Sequence, residues 1–423
     1  MHKFYLTNNL GGGGTNVSRF VDYKQLFDLP NIGLLLNYYY LSGKCIPQFD
    51  TTLLKNLDNY NNIADFLNFA KEWFSNKRSV SSSFKQDLNA TKINGYMLDN
   101  GCGNILRDLL QSGKYTETAI RSLVEPFHDF SEALNFDFSI ALDYAMKYTY
   151  KENENSDNQL KELWQELAGN EKINLSLIDT TLALKKAKNY NHKIYAPLHG
   201  FDYDSFEDYL KAIINAEKSH NTKFDGFALG GIADSKKLSN TIWKVPEGIT
   251  KELKIGYIVS ELCNRVRSIT NRPLHVLGAG NIYVLPFIIN AGATSSDCHS
   301  AWRRASDGDF SKAKILVPLL NDNLEFINSK NTLKYIHIKD LDKSYNFNFG
   351  YSVDTLKKLY QAKGKNNEDY YFGQILAFYQ AMKQHDLIIH FTEKHPDYLK
   401  RLCKTPDIEL YESYCKLIEK LNL

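Results

Sequence analysis

The sequence predicts an α/β protein: a (β/α)8, TIM-like barrel over residues 1–345, followed by a helical region over residues 346–423. Three observations carry this expectation. Short β-branched or apolar runs recur along the chain, and each ends in Asp, Asn, His or Gly. A longer amphipathic stretch, with apolar residues near the i, i+3, i+4 spacing of a surface helix, follows them. No Gly-x-Gly-x-x-Gly follows a first strand and no fixed-period repeat is visible, which sets a doubly wound sheet or a solenoid behind the barrel.

In chain order the strand candidates are NIGLLLNYYY (31–40), NGYMLDNGCGN (94–104), FDFSIALDYA (136–145), HKIYAPLHGFD (192–202), FDGFALGGIAD (224–234), PLHVLGAGN (273–281) and ATSSDCHS (293–300). Stretches such as SFEDYLKAIINAEKSH and TKELKIGYIVSELCNRVRSI are the helices between them. NENSDN at 153–158 reads as a solvated loop inside the barrel. Beyond residue 345 the pattern turns helical, with breaks near Gly364, at His395-Pro396 and at Thr405-Pro406.

Composition limits the function without selecting it. A 423-residue chain that is 43% hydrophobic can bury a large core, and 51 Lys+Arg against 49 Asp+Glu leave a net charge of only +2. Any polyanion-binding surface must therefore come from local clustering. The N-terminal MHKFYLTNNLGGGG has no apolar signal-peptide core and no apolar run reaches the length of a membrane span, so a cytoplasmic protein with no membrane partner is expected. Six cysteines without a Cys-x-x-Cys pair read as buried, reduced thiols.

In a (β/α)8 barrel the active site forms at the C-terminal ends of the strands. Those ends carry Asn37, Asp99, Asp143, His199, Gly230, Gly231, Gly278, Gly280 and Asp297. A single strand-end Asp serves as readily to cap the next helix. Three on one rim point to carboxylate chemistry at a sugar carbon, by activation of water or by direct attack to give a covalent glycosyl-enzyme. The glycines of ALGG and LGAG would let a flat ligand meet backbone N–H and C=O groups, although each also suits a tight turn.

These segments together resemble the tRNA-guanine transglycosylases over roughly residues 30–310, in the family's own order. LLLNYYYL, YMLDNGCGN, IALDYA, YAPLHG, FDGFALGGIA, VLGAGN and SDCHSAWRRASDG are similar to the family's successive blocks. The resemblance implies Asp297 as the nucleophile on C1′ of a nucleoside and Asp99 as general acid/base. It implies Asp143, His199, Gly230 and Gly231 as the base-binding set, with Asn37 and Asn104 holding the Asp99 carboxylate. Arg303 falls on the family's arginine and Arg304 is extra; both are candidate phosphate contacts, with Lys312, Lys314, Lys236 and Lys237 as further ones.

Three departures shape the expectation. The family's Cys-x-Cys-x-x-Cys zinc motif is absent, so no metal and no cofactor are expected, and His385, His390 and His395 step round a helix in fives, off a common face. His199 stands in place of a base-reading Gln, and Gly103 in place of a Phe that covers the base, so stacking would fall to Tyr39 or Tyr144. Trp243 and the tyrosines of NYYYL read as core and rim. A chain with these acids and no zinc motif resembles the DNA-directed (DpdA-type) branch, which exchanges guanine in DNA for a 7-deazaguanine such as preQ0. The expected partners are DNA and a free 7-deazaguanine base, with room for a homodimer or a helper protein; a phage-encoded copy would work in the host cytoplasm. The same exchange in tRNA, and a non-catalytic nucleic-acid-binding subunit, are the alternatives.

Overall fold

The computed structural model describes residues 1–8, 31–38, 95–103, 105, 109, 116–134, 136–144, 156–200, 202–232, 243–249, 251–306, 310–327, 334–395, 415 and 418–421. Eight parallel strands close into a barrel: β1 (Lys3–Asn8), β2 (Ile32–Asn37), β3 (Tyr96–Asp99), β4 (Phe138–Ile140), β5 (Ile194–Leu198), β6 (Gly226–Leu229), β7 (Leu274–Val276) and β8 (Ser295–Asp297). Seven are the runs expected from sequence. The eighth, β1, closes the ring by pairing with both β2 and β8, in register Tyr5 to Gly33 and Tyr5 to Asp297.

Alternation along each strand sends one set of side chains inward and the other toward the helices. The barrel interior holds Tyr5, Leu35, Met97, Phe138, Ile140, Tyr195 and Ala228, a cluster separate from the larger outer core. Below it, Lys3 Nζ and Tyr5 OH both donate to Asp137 Oδ2, at 2.7 and 2.9 Å. Glycine makes room for the rings: a Cβ at Gly33 would lie 2.8 Å from the Tyr5 ring, and one at Gly226 2.7 Å from the Tyr195 ring. With the interior filled by side chains, a ligand can enter only at the top.

Helices α1 (Glu117–Arg121), α2 (Val124–Leu134), α3 (Ser156–Lys188), α4 (Tyr203–His220), α5 (Lys251–Ile269), α6 (Leu285–Asn290) and α7 (Ser300–Ser306) lie between or after the strands. Asp202 caps α4 through a reciprocal pair with Ser205, so the strand-to-helix turn after β5 is fixed by its own sequence. Of the loop expected at 153–158, residues 156–158 are helical instead, since α3 begins at Ser156 and Ser and Asp are favourable in a helix's first turn; residues 153–155 lie outside the described residues. Trp243 and Tyr38 are buried in the core, Tyr38 edge-on to Phe127.

After β8 and α7 the chain adds a two-stranded antiparallel sheet, β9 (Lys314–Leu316) with β10 (Tyr335–His337), then α8 (Val353–Gln361) and α9 (Asn367–Lys394). Gly364, with φ +78°, stands between the two helices where a break was expected. The long α9 is not a loose appendage. Gln384 accepts from the backbone N–H of Leu319 and Leu320, Asp386 accepts from Asn31 N–H at the foot of β2, and Glu393 accepts from His2 N–H at the foot of β1. Its apolar residues belong to the same core as the outer face of the barrel. Among the described residues no helix is long and apolar enough to cross a membrane.

Candidate active site

The strand ends bring together the acids that the sequence scatters between positions 99 and 297. Asp99 ends β3 directly opposite Asn37, the last residue of β2, and the Asn37 amide donates to Asp99 Oδ2 at 2.5 Å. Burial pushes the Asp99 carboxyl up to about 7, and the charges of Asp143 and Asp297 add to the shift, while the Asn37 amide and the Gly101 backbone oppose it. A carboxyl poised there can give and take a proton near neutral pH.

Asp297 ends β8 and is almost fully buried. Three groups are aimed at it, from β1, from β7 and from the loop that follows β7. Gly278 N–H donates to Oδ1 at 2.8 Å, the Thr7 hydroxyl of β1 donates to Oδ2 at 3.1 Å, and His275 Nε2 lies 3.2 Å from Oδ1. His275, two residues before Leu277 on β7, is itself wholly buried, and its Nδ1 lies 2.9 Å from Ser295 Oγ. The next side chain, Cys298, is no rival nucleophile: burial holds its thiol above the ordinary range, and it contacts Ser300 Oγ at 2.9 Å.

Asp143, past the end of β4, accepts from the Asn100 amide at 2.9 Å through Oδ1. Its other oxygen lies 2.8 Å from His199 Nε2 at the end of β5. Beyond that ionic contact, His199 Nε2 and Asn37 Oδ1 are buried polar atoms with no hydrogen-bond partner among the described residues. Unpartnered polar atoms at a barrel mouth suit a polar ligand that supplies the missing partners. Gly230 and Gly231 continue the rim after β6; Gly231 has φ +78°, and a Cβ added there would meet nothing within 4 Å.

The remaining candidates divide. Arg303 is exposed on α7, whereas Arg304 is half-buried, with its guanidinium 4.3 Å from the centre of the Tyr335 ring, a packing role that the sequence did not suggest. Lys312 is exposed and Lys314 is half-buried at the start of β9. The Tyr144 backbone is held by Asn174, with the side chain half-buried at the rim. Asn104, Tyr39, Lys236 and Lys237 lie outside the described residues.

Two of the C-terminal histidines have packing partners. The sequence lacks the cysteine motif, and His385 is buried against Phe4 with Nδ1 2.7 Å from Ala381 O, while His395 packs on Phe391. Among the described residues no three His, Cys, Asp or Glu side chains are grouped to hold a metal ion.

Sequence reasoning missed Thr7, Asn100 and His275. The signal for His275 was present, since it sits in PLHVLGAGN at the inward-facing parity of a strand whose end had been identified. Thr7 lay on a strand that had not been recognised. No family model matches the chain, and no curated protein matches it in sequence.

Proposed function

We propose that the chain is a base-exchange transglycosylase that replaces guanine in DNA by a 7-deazaguanine base, preQ0 or a close relative, through a covalent aspartyl-glycosyl intermediate. The observation that carries this reading is the pairing at the mouth: a buried Asp297 held by three groups on and just after β1 and β7, beside an Asp99 pushed up to about 7. Asp297 Oδ2 attacks C1′, and the C1′–N9 electron pair leaves with guanine, which takes a proton from Asp99. The incoming base then attacks C1′ from the vacated side; its N9 proton passes to Asp99, and the ester electron pair returns to Asp297. Configuration is retained and no nucleotide triphosphate is consumed.

Asp143 and His199, with Gly230 and Gly231, form the base-reading side, where the unpartnered His199 Nε2 would meet a polar edge of the purine. A base inside a duplex must be everted to reach the mouth, at a cost of a few kcal/mol. DNA is favoured over tRNA because the sequence lacks the zinc-bearing motif that accompanies tRNA binding in the resembled family.

The test is exchange of radiolabelled guanine or preQ0 into duplex DNA, single-stranded DNA and tRNA by the purified protein. Label entering DNA is expected. Label entering tRNA alone would overturn the choice of polymer, and no label in any of the three would leave a binding subunit as the better description.

A further inference from the structure

Among the described residues, His275 is the fully buried titratable side chain that contacts the candidate nucleophile, and the reaction outlined above does not use it. A carboxylate oxygen can only accept, so His275 Nε2 donates to Asp297 Oδ1 at 3.2 Å, and Nδ1 faces the Ser295 hydroxyl at 2.9 Å. His275 and Ser295 are cross-strand partners on β7 and β8, and Asp297 follows two residues on, so register alone builds the chain Ser295 to His275 to Asp297. Tyr5 and Phe138 pack against the imidazole from the barrel interior, with ring centres 6.0 and 5.4 Å away, and wall it off from water.

We propose that His275 is a positioning residue that makes Asp297 a good leaving group in the second half of the exchange. This rests on Asp297 being the nucleophile. A carboxylate oxygen accepts a hydrogen bond more strongly than an ester carbonyl does, so donors on Oδ1 favour the free carboxylate over the glycosyl ester. When the incoming base attacks C1′, the C1′–Oδ2 bond breaks and its electron pair spreads over the Asp297 carboxyl group, where His275 Nε2–H and Gly278 N–H are already in place. No proton is transferred to or from the imidazole. The same contacts restrain attack in the first half, so the net effect is to keep the intermediate short-lived in a site from which water must be excluded.

The readout is the fraction of enzyme carrying a denaturation-resistant nucleic-acid adduct during steady-state exchange. For His275→Phe, which fills the same space without a donor, the adduct fraction is expected to rise several-fold while kcat falls roughly tenfold and KM for the incoming base changes little. Ser295→Ala, a milder change that removes only the hydroxyl holding Nδ1, should move both quantities the same way by a smaller factor. His275→Gln, which keeps an N–H donor, should restore much of the turnover. An adduct fraction that falls in step with kcat in both His275→Phe and Ser295→Ala would overturn the proposal, since that is what simple misplacement of Asp297 produces. An Asp297-dependent adduct in the unaltered protein separates the two claims: without it the transglycosylase reading fails, and with it only the role of His275 is at stake.

Discussion

Asp99 and Asp297 are the same residue type with different surroundings, and the difference assigns their work. Asp297 receives donors on both oxygens, which fixes its plane; Asp99 is buried beside two negative neighbours, and burial first and those charges second keep its proton on up to about pH 7 against the opposing pull of the Asn37 amide. In the proposed exchange, formation of the adduct needs that proton and should weaken above pH 7, while its breakdown needs the ionised form and should weaken below; single-turnover rates across pH 5 to 9 separate the two limbs. The same shift makes a stability prediction. Because the folded state binds the proton more tightly than the ordinary value of 3.8, stability is full at low pH and is lost as pH rises from about 4 to 7. Asp99→Asn removes that loss, so the variant should gain on the order of 2 to 4 kcal/mol at pH 8 and far less at pH 4, as read from denaturation midpoints at the two pH values. The two arginines of α7 also part ways at this scale. Arg303→Ala should lower affinity for DNA and reduce the slope of log K against log salt by about 1, leaving the melting temperature unchanged. Arg304→Ala should instead cost about 1 kcal/mol of stability by removing the guanidinium from the Tyr335 ring.

Among the elements, α9 shows how the C-terminal region is held without a metal motif. Gln384, wholly buried, accepts from Leu319 and Leu320 N–H and donates to Leu320 O and Asn348 Oδ1. Gln384→Ala would strand two buried backbone donors and should destabilise the protein by about 2 to 4 kcal/mol, measured by chemical denaturation. Much of this architecture was legible beforehand because each run from NIGLLLNYYY to ATSSDCHS ends in a polar or glycine tip, which marks a strand entering a loop. β1 was not legible. Its residues KFYLTN mix Lys3 and Thr7 with aromatics on alternate faces, and their sense emerges only when Lys3 is seen bonded to Asp137 and Thr7 to Asp297. The acids of the site were visible for the same reason that the strands were. Of their supports Asn37 was visible at a strand end, whereas the pairings of Thr7, Asn100 and His275 were not, because these residues act across strands and the register between strands is set by closure of the whole ring.

At the scale of the molecule, the barrel separates stability from chemistry. Aromatic side chains fill the interior below, the Lys3–Asp137 pair closes its foot, and the feet of β1 and β2 are tied to α9, so the mouth can hold three acids and unpartnered polar atoms that would destabilise a smaller core. With a net charge of only +2, attraction to a polyanion must come from cations near that rim, and binding should weaken steeply with added salt. The central claim, that Asp297 carries the sugar, is tested most directly by mapping the adduct. The protein would be incubated with guanine-containing DNA and no acceptor base, denatured and digested, and the modified peptide sequenced by mass spectrometry. A nucleotide attached at Asp297, and absent from Asp297→Asn, is the expected result; an adduct on Asp99, Asp143 or Cys298, or one that survives in Asp297→Asn, would contradict it.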